Sequence, residues 1–326
     1  MHDKNKVIHL KLLLGVFLKK KLNKFFTSAI EHNYISGRSL VVTFLGDYLC
    51  QDDSAIWMGS LIKFFESLGF NQRFVRSSVF RLKQDGWVDV KKVGRKSYYY
   101  MTSERFDEIR DANKKIYSVE NLTWNGKWNV IHIPLSTLTE SNSKGKKLAK
   151  YGFGMLNKGM YIQADQGQSL QPNFQNILNE YAEATILTGA NLISHKEKNK
   201  SKFVSNTWDL DKINEDYNDF VEMFEPIWLM IKDAAINELD NEDCFKLRLL
   251  LIHFYRRIMI RDPLLPNELL PNDWHGRNAQ EITINIYQKI HLQAKTYITE
   301  QAETIDGLLP LLASDYYSRF NGLNHI

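Results

Sequence analysis

The sequence predicts an α+β, multidomain chain, and three observations carry that expectation. Residues 71–102, NQRFVRSSVFRLKQDGWVDVKKVGRKSYYYMT, run from a basic, helix-period segment into a short alternating hairpin. From about residue 121 strand-like and helix-like stretches alternate, and from Trp208 onward the pattern is helical. At 326 residues, 44% hydrophobic and 25% charged, the chain has ordinary globular composition and length for two or three domains.

Taken in order, residues 1–34 form an N-terminal extension. Its apolar stretch VIHLKLLLGVFLKKK (7–21) is interrupted by His9 and Lys11, and no small-residue cleavage site follows it. It falls far short of the roughly 20 apolar residues a bilayer span needs. It reads as an amphipathic helix, or as sequence ahead of the start used in the cell, rather than as a membrane insert. No other segment could span a bilayer, so no membrane partner is expected.

Residues 35–102 read as one small domain. Leu40 to Leu49 (LVVTFLGDYL) and Ile56 to Leu68 (IWMGSLIKFFESL) are apolar helix candidates, the second closed by Gly69. A basic helix follows, capped by Asn71 and stopped at Asp85-Gly86. Val75, Val79 and Leu82 share its inner face. Arg73, Arg76, Ser77, Phe80 and Gln84 lie opposite, flanked by Arg81 and Lys83. Val88, Val90, Tyr98 and Tyr100 then alternate around Val93-Gly94-Arg95-Lys96, with Lys91, Lys92, Arg95 and Lys96 at the tip. Helix, turn, basic helix and basic hairpin in that order predict a winged helix-turn-helix.

The chemistry fits double-stranded DNA. An arginine can bond two guanine acceptors in the major groove, an apolar ring can touch a thymine methyl, and a basic tip lies where phosphates pass. The expected DNA contacts are Arg73, Arg76, Ser77, Phe80, Arg81, Lys91, Lys92, Arg95 and Lys96. A charge run alone is more often a solvated helix face, and it is the ordered set of elements that separates the two readings. Charge supports the same split: residues 1–118 hold 21 Lys and Arg against 12 Asp and Glu, while the remainder holds 21 against 26.

Cys50 and Cys244 lack CxxC partners and nearby His at ligand spacing, which excludes a disulfide framework and a zinc site and points to a cytoplasmic setting with both thiols in the core. Residues 103–120 read as a linker helix with Phe106, Ile109 and Ile116 in register. Residues 121–205 open with WNGKW and then WNVIHIPL, followed by a polar helix candidate at 143–152, the strand-like GFGMLNKGMYIQ, a helix at 174–183, ATILTGANLIS and a charged loop at 196–202. That order fits a ferredoxin-like α+β domain. Gly152, Gly154 and Gly159 read as turns, since no GxxxxGK[ST] is present. Residues 206–326 read as an all-helical C-terminal domain, with a Pro-punctuated crossover at 262–274.

The runs IWMGSLIKFFESLGFNQRFVRSSVFRLKQDGWVDVKKVGRKSYY, WNGKW, LLIHFYRRIMIRDPLLPNELLPNDW and INIYQ resemble the PaaX family, repressors of phenylacetic acid degradation operons. The resemblance covers about residues 35–326. It implies a GntR-like winged-helix head, a ferredoxin-like middle domain, a helical C-terminal domain, a homodimer on a palindromic operator, and phenylacetyl-coenzyme A as effector.

Such a thioester needs cations for its phosphates and an apolar slot for its ring. The block His253-Phe254-Tyr255-Arg256-Arg257-Ile258-Met259-Ile260-Arg261 supplies both types, so His253, Tyr255, Arg256, Arg257 and Arg261 are the candidate effector residues. The competing reading gives the arginines carboxylate partners such as Asp262 or Glu268. Trp274 and His275 read as core or loop residues.

No catalytic, metal or cofactor site is expected. WNVIHIPL carries no carboxylate with which a ferredoxin-like nuclease could hold a metal, and no GxSxG or HExxH occurs. The remaining alternatives are a regulator of the same build that senses another acyl-coenzyme A or aromatic acid, and a constitutive architectural DNA binder.

Overall fold

The computed structural model describes residues 2–49, 55–119, 122–135, 148–165, 174, 177–179, 181, 183–192, 200–235, 238–309 and 314–323. It is a mixed α/β, multi-unit chain. Packing groups residues 1–118, 220–256 and 278–326 into one unit, and residues 119–219 and 257–277 into another.

The first unit begins with helix α1 (His2–Glu31), which buries Leu18, Leu22, Phe26 and Ala29 along one stripe. Among the described residues no helix is long and apolar enough to cross a membrane. Helix α2 (Gly37–Phe44) continues as one wide π-helical turn, Leu45–Leu49. Strand β1 (Ile56–Trp57) leads into α3 (Met58–Glu66), and after a turn comes α4 (Gln72–Gln84). The α3–α4 turn is tightened by Phe70 and Phe74, whose rings stack at 4.5 Å. Asn71 Oδ1 accepts from Phe74 N at 2.9 Å, the expected cap. Strands β2 (Val88–Val93) and β3 (Lys96–Met101) pair with Val93 opposite Lys96. The two-residue connection is possible because Gly94 takes φ +59°, a left-handed conformation that only glycine adopts without strain. Helix α5 (Ser103–Tyr117) follows, burying Ile109, Ile116 and Tyr117.

The C-terminal region corrects the all-helical expectation. After the long helix α9 (Gly276–Gln301), strands β8 (Glu303–Thr304) and β9 (Gly307–Leu308) extend the sheet of the expected head, in the order β2-β3-β1-β8-β9. Two-residue strands show no period-2 pattern, and the Asp306-Gly307 dipeptide, where the Ile305-Asp306 turn enters β9, was their one local signal. Helices α7 (Leu210–Ile231) and α8 (Asn241–Met259) also belong to the helical part, and each, like α9, contributes residues to both units. Phe44, Phe64, Phe245 and Tyr297 form one aromatic cluster at the core of the first unit, with adjacent rings 5.3–6.4 Å apart.

The second unit holds β4 (Trp128–His132), β5 (Gly154–Asn157), β6 (Met160–Ala164) and β7 (Thr185–Ala190) in an antiparallel sheet of order β5-β6-β4-β7. Residues 152–163, read as one strand-like stretch, are a hairpin turning at Lys158-Gly159. Both faces of the sheet are covered, which is why WNVIHIPL is almost continuously apolar. Trp128 and Ile162 pack with Trp208, Leu265 and Leu269 on one side, and Ile131, Ile133 and Tyr161 pack with Leu148 and Ile177 on the other. Gly152 and Gly159 turn with positive φ as expected, but Gly154 belongs to β5. Residues 200–202, expected in a charged loop, begin helix α6 (Lys200–Trp208). The helices expected at 143–152 and 174–183 lie partly outside the described residues and Cys50 lies wholly outside them, whereas Cys244 is buried.

Candidate nucleic-acid interface

Helix α4 is held by its inner face. Val75, Val79 and Leu82 are buried, and burying each stabilises the fold by about 1.5–3 kcal/mol. Helix α2 approaches so closely that a Cβ on Gly37 would lie 2.1 Å from Ser78 Oγ and 2.8 Å from the Phe74 ring. At the far end Arg38 of α2 pairs with Asp85, the C-cap of α4. This fastening turns the opposite face outward: Arg73, Arg76, Ser77, Phe80, Arg81 and Gln84 are all exposed. Phe80 is 61% exposed among these cations. The Ser77 hydroxyl donates to Phe74 O on its own helix, leaving an oxygen able to accept.

Lys91, Lys92 and Arg95 are exposed on the adjoining hairpin. Like Arg73, Arg76 and Arg81, they have no ion-pair partner among the described residues. Lys96 differs from these cations in having a partner. Its Nζ sits 2.7 Å from both Glu303 oxygens and 4.5 Å over the Trp57 ring, so its charge is already matched inside the sheet. The hydrogen bond to Glu303 raises the Lys96 pKa, and the same bond, with that from Tyr98, lowers that of Glu303.

The candidate effector residues are not brought together in one unit. His253, Tyr255 and Arg256 pack in the first, Arg257 and Arg261 in the second. His253 is fully buried with Nδ1 3.1 Å from Thr43 Oγ1, and Tyr255 is buried against Phe220. Arg261 pairs with Asp216 at 2.8 Å, a partner not anticipated, while Asp262 accepts from Tyr217 OH at 2.7 Å. Arg257 is exposed, its carbonyl accepting from Arg261 Nε at 2.8 Å. Burial lowers the Arg256 pKa, and this guanidinium has no ion pair among the described residues. Trp274 packs on Tyr217, and His275 N donates to Asn214, in keeping with core and loop roles. No group of potential metal ligands occurs among the described residues.

The most conspicuous polar cluster was not found by sequence reasoning. Asp47, in the π-helical turn after α2, is fully buried and accepts from Arg248 Nε at 2.8 Å, Arg319 Nη1 at 2.7 Å, Tyr117 OH at 2.6 Å and Tyr287 OH at 3.1 Å. Arg248 donates onward to Tyr316 OH at 2.8 Å and lies 4.2 Å from the Tyr48 ring centroid and 4.6 Å from that of Tyr287. Arg319 lies 4.1 Å over Tyr117. Burial alone would push the Asp47 carboxyl up, but the two guanidiniums beside it hold it below the usual carboxylate range. Burial pushes the Tyr117 and Tyr287 hydroxyls well up, so they remain protonated donors. The cluster ties α2, α5, α8, α9 and the segment after β9 into one unit. Its one signal in the sequence was Asp47, a lone charge in the apolar run LVVTFLGDYL, which requires a buried partner.

Residues 36–105 match the family described as PaaX-like protein, and residues 208–300 match the PaaX-like protein C-terminal domain. The chain is 38% identical, over 93% of its own length and 96% of the other's, to the transcriptional repressor PaaX of Escherichia coli (strain K12). A solved structure, the uncharacterized protein Rv0674 from Mycobacterium tuberculosis, is similar over 72% of this chain and 90% of that one, with 18% identity and a TM-score of 0.41. That likeness is too loose to bear on fold or site. The two domain matches and the near full-length identity place the chain in the PaaX family.

Proposed function

We propose that this chain is a transcriptional repressor of phenylacetic acid catabolic genes, acting in the cytoplasm as a homodimer on operator DNA and released by phenylacetyl-coenzyme A. The observation that carries the DNA part is the exposed Arg73, Arg76 and Arg81 face of α4 beside the exposed cations of the β2–β3 hairpin. We read α3, α4 and that hairpin as a winged helix-turn-helix. The β5-β6-β4-β7 order, with helical residues between β4 and β5 and between β6 and β7, supports a ferredoxin-like reading of the second unit.

In this reading α4 enters the major groove, where Arg73, Arg76 and Arg81 meet base edges and Phe80 meets a thymine methyl. Lys91, Lys92 and Arg95 meet phosphates and set the register without reading sequence. A homodimer doubles the contact on a palindromic site. The effector releases DNA only to the extent that it binds one dimer geometry better than the other. Arg256, desolvated and without an ion pair among the described residues, is the first effector contact to test. The function is binding and not catalysis.

The test is fluorescence anisotropy with a labelled promoter fragment from the phenylacetate genes of the same genome. Tight binding reversed by phenylacetyl-coenzyme A, and by neither coenzyme A nor phenylacetate, is expected. Absence of binding overturns the repressor reading. Binding that none of the three reverses keeps the repressor and removes the effector.

A further inference from the structure

The hairpin proposed to touch DNA is the near edge of a five-stranded sheet whose other edge comes from the chain's last quarter. Strand β8 pairs with β1, Thr304 opposite Ile56, and Ile305 N donates to Ala55 O at 3.1 Å. Glu303 is fixed from behind: its backbone N donates to Ser60 Oγ of α3 at 3.0 Å. Its carboxylate then faces the hairpin and takes three hydrogen bonds, two from Lys96 Nζ and one from Tyr98 OH, all at 2.7 Å.

Pair register shows which way these groups point. Directly opposed residues in an antiparallel pair share a face, so Lys91, Val93, Lys96 and Tyr98 lie on one side of the hairpin, and Lys92 and Ser97 lie on the other. Trp57, opposite Tyr98, continues the first side into β1, and the Lys96 ammonium rests on its ring. Lys96 is thus held between a carboxylate and an indole at the base of the turn that carries Arg95.

We infer that Glu303 is a positioning residue for DNA binding: by gripping Lys96 and Tyr98 it sets where the β2–β3 tip stands relative to α4, and Lys96 is an anchor of the hairpin and not a phosphate contact. This inference rests on the DNA-binding reading above and adds to it. It reverses a sign. Glu303 is an anion close to a surface proposed to meet phosphates, so on charge alone its removal strengthens DNA binding. As a positioning residue its removal weakens binding, because the tip cations lose their fixed placement.

The experiment uses the full chain and a labelled duplex selected from a random library by the wild-type protein, titrated over a range of salt. Glu303→Gln, which removes the charge and keeps the shape, is expected to weaken binding by about three- to tenfold, on the scale of a lost charge-assisted contact. Lys96→Met is expected to weaken it similarly while leaving the salt dependence at its wild-type slope. A phosphate contact would lower that slope by about one unit. The exchanged pair Lys96→Glu with Glu303→Lys rebuilds the ion pair in reverse and is expected to recover affinity to within about twofold of wild type.

Glu303→Gln binding as tightly as wild type or more so, a flattened slope in Lys96→Met, or an exchanged pair no better than its single variants would each overturn the inference. Arg76→Ala is the control for the reading beneath it. If selection with the wild-type protein enriches no duplex, the DNA-binding reading falls. If wild type binds and Arg76→Ala weakens it, the overturning results fall on Glu303 alone.

Discussion

Asp47→Asn removes the single carboxylate facing Arg248 and Arg319 and leaves two guanidiniums buried together. The side chains of Asp47 and Arg248 are 0% and 1% exposed, so water cannot replace the lost charge. At 2.7–2.8 Å each Asp47–arginine contact is worth about 6 kcal/mol at an effective dielectric near 20, and desolvation offsets much of it. Removing one partner of a buried pair costs about 3–5 kcal/mol, because it strands the other. The first unit is roughly 200 residues, where 1 kcal/mol moves the transition by about 2–4 °C, so a loss of about 6–20 °C is expected. The comparison variant is Arg319→Met, which leaves one cation facing one anion and so costs less than Asp47→Asn. Scanning calorimetry of both variants measures the difference. Because Asp47 is held below its ordinary value, its stabilisation is present above the usual carboxylate pKa and is lost as pH falls through the folded value. Asp47→Asn lacks that acid-side loss. A shift under about 2 °C, or Arg319→Met costing more than Asp47→Asn, refutes the charge argument.

Other outcomes follow from groups already placed. Burial, then Arg248 and Lys295, push His291 down to about 4 from 6.5, so the wild type loses stability as pH falls from 6.5 towards 4. Urea unfolding at about pH 7 and about pH 5 is expected to show a smaller drop in His291→Gln, and an equal drop sinks this assignment. Arg76→Ala is expected to cost about 1–3 kcal/mol on operator DNA and relax base preference, and unchanged anisotropy removes α4 from the groove. Lys92→Ala is expected to weaken all duplexes evenly and flatten the salt slope by about one. Burial pushes the Cys244 thiol up, so in a Cys50→Ser background a disulfide reagent is expected to react only after unfolding. Rapid reaction with the folded protein contradicts the buried placement.

What the sequence made legible was whatever repeats at short range. The Val75–Val79–Leu82 stripe, the Asn71 cap, the Gly94 turn and the exposed arginines of α4 all follow from spacing within a few residues, and each is found in place. Long-range pairing left almost no trace. Glu303 lies more than 200 residues from Lys96, its strand is two residues long, and nothing local distinguishes it from a solvated glutamate. Arg248 and Arg319 were equally silent, because a buried arginine is recognised only by the partner it meets. The effector expectation has the same short-range origin: His253 to Arg257 are adjacent on α8 and Arg261 lies just past its end, and adjacency along a helix scatters side chains around its axis. Carboxylate partners for the arginines of this block were sought nearby, at Asp262 and Glu268, whereas the pair that forms joins Arg261 to Asp216.

The five-stranded sheet also has a history written into its order. During synthesis β1, β2 and β3 emerge long before β8, and at about 5–20 residues per second the roughly 200 residues from Met101 to Glu303 take about 10–40 s. Throughout that interval β1 is an open strand edge, and Asp47 lacks Arg319 and, until residue 248 is made, Arg248 as well. Open edges pair with whatever strand is nearest, including that of a neighbouring nascent chain. A fragment ending after the hairpin would remain in that state permanently, and so the segment bearing α4, the helix proposed to meet DNA, is poorly suited to being cut out and studied alone.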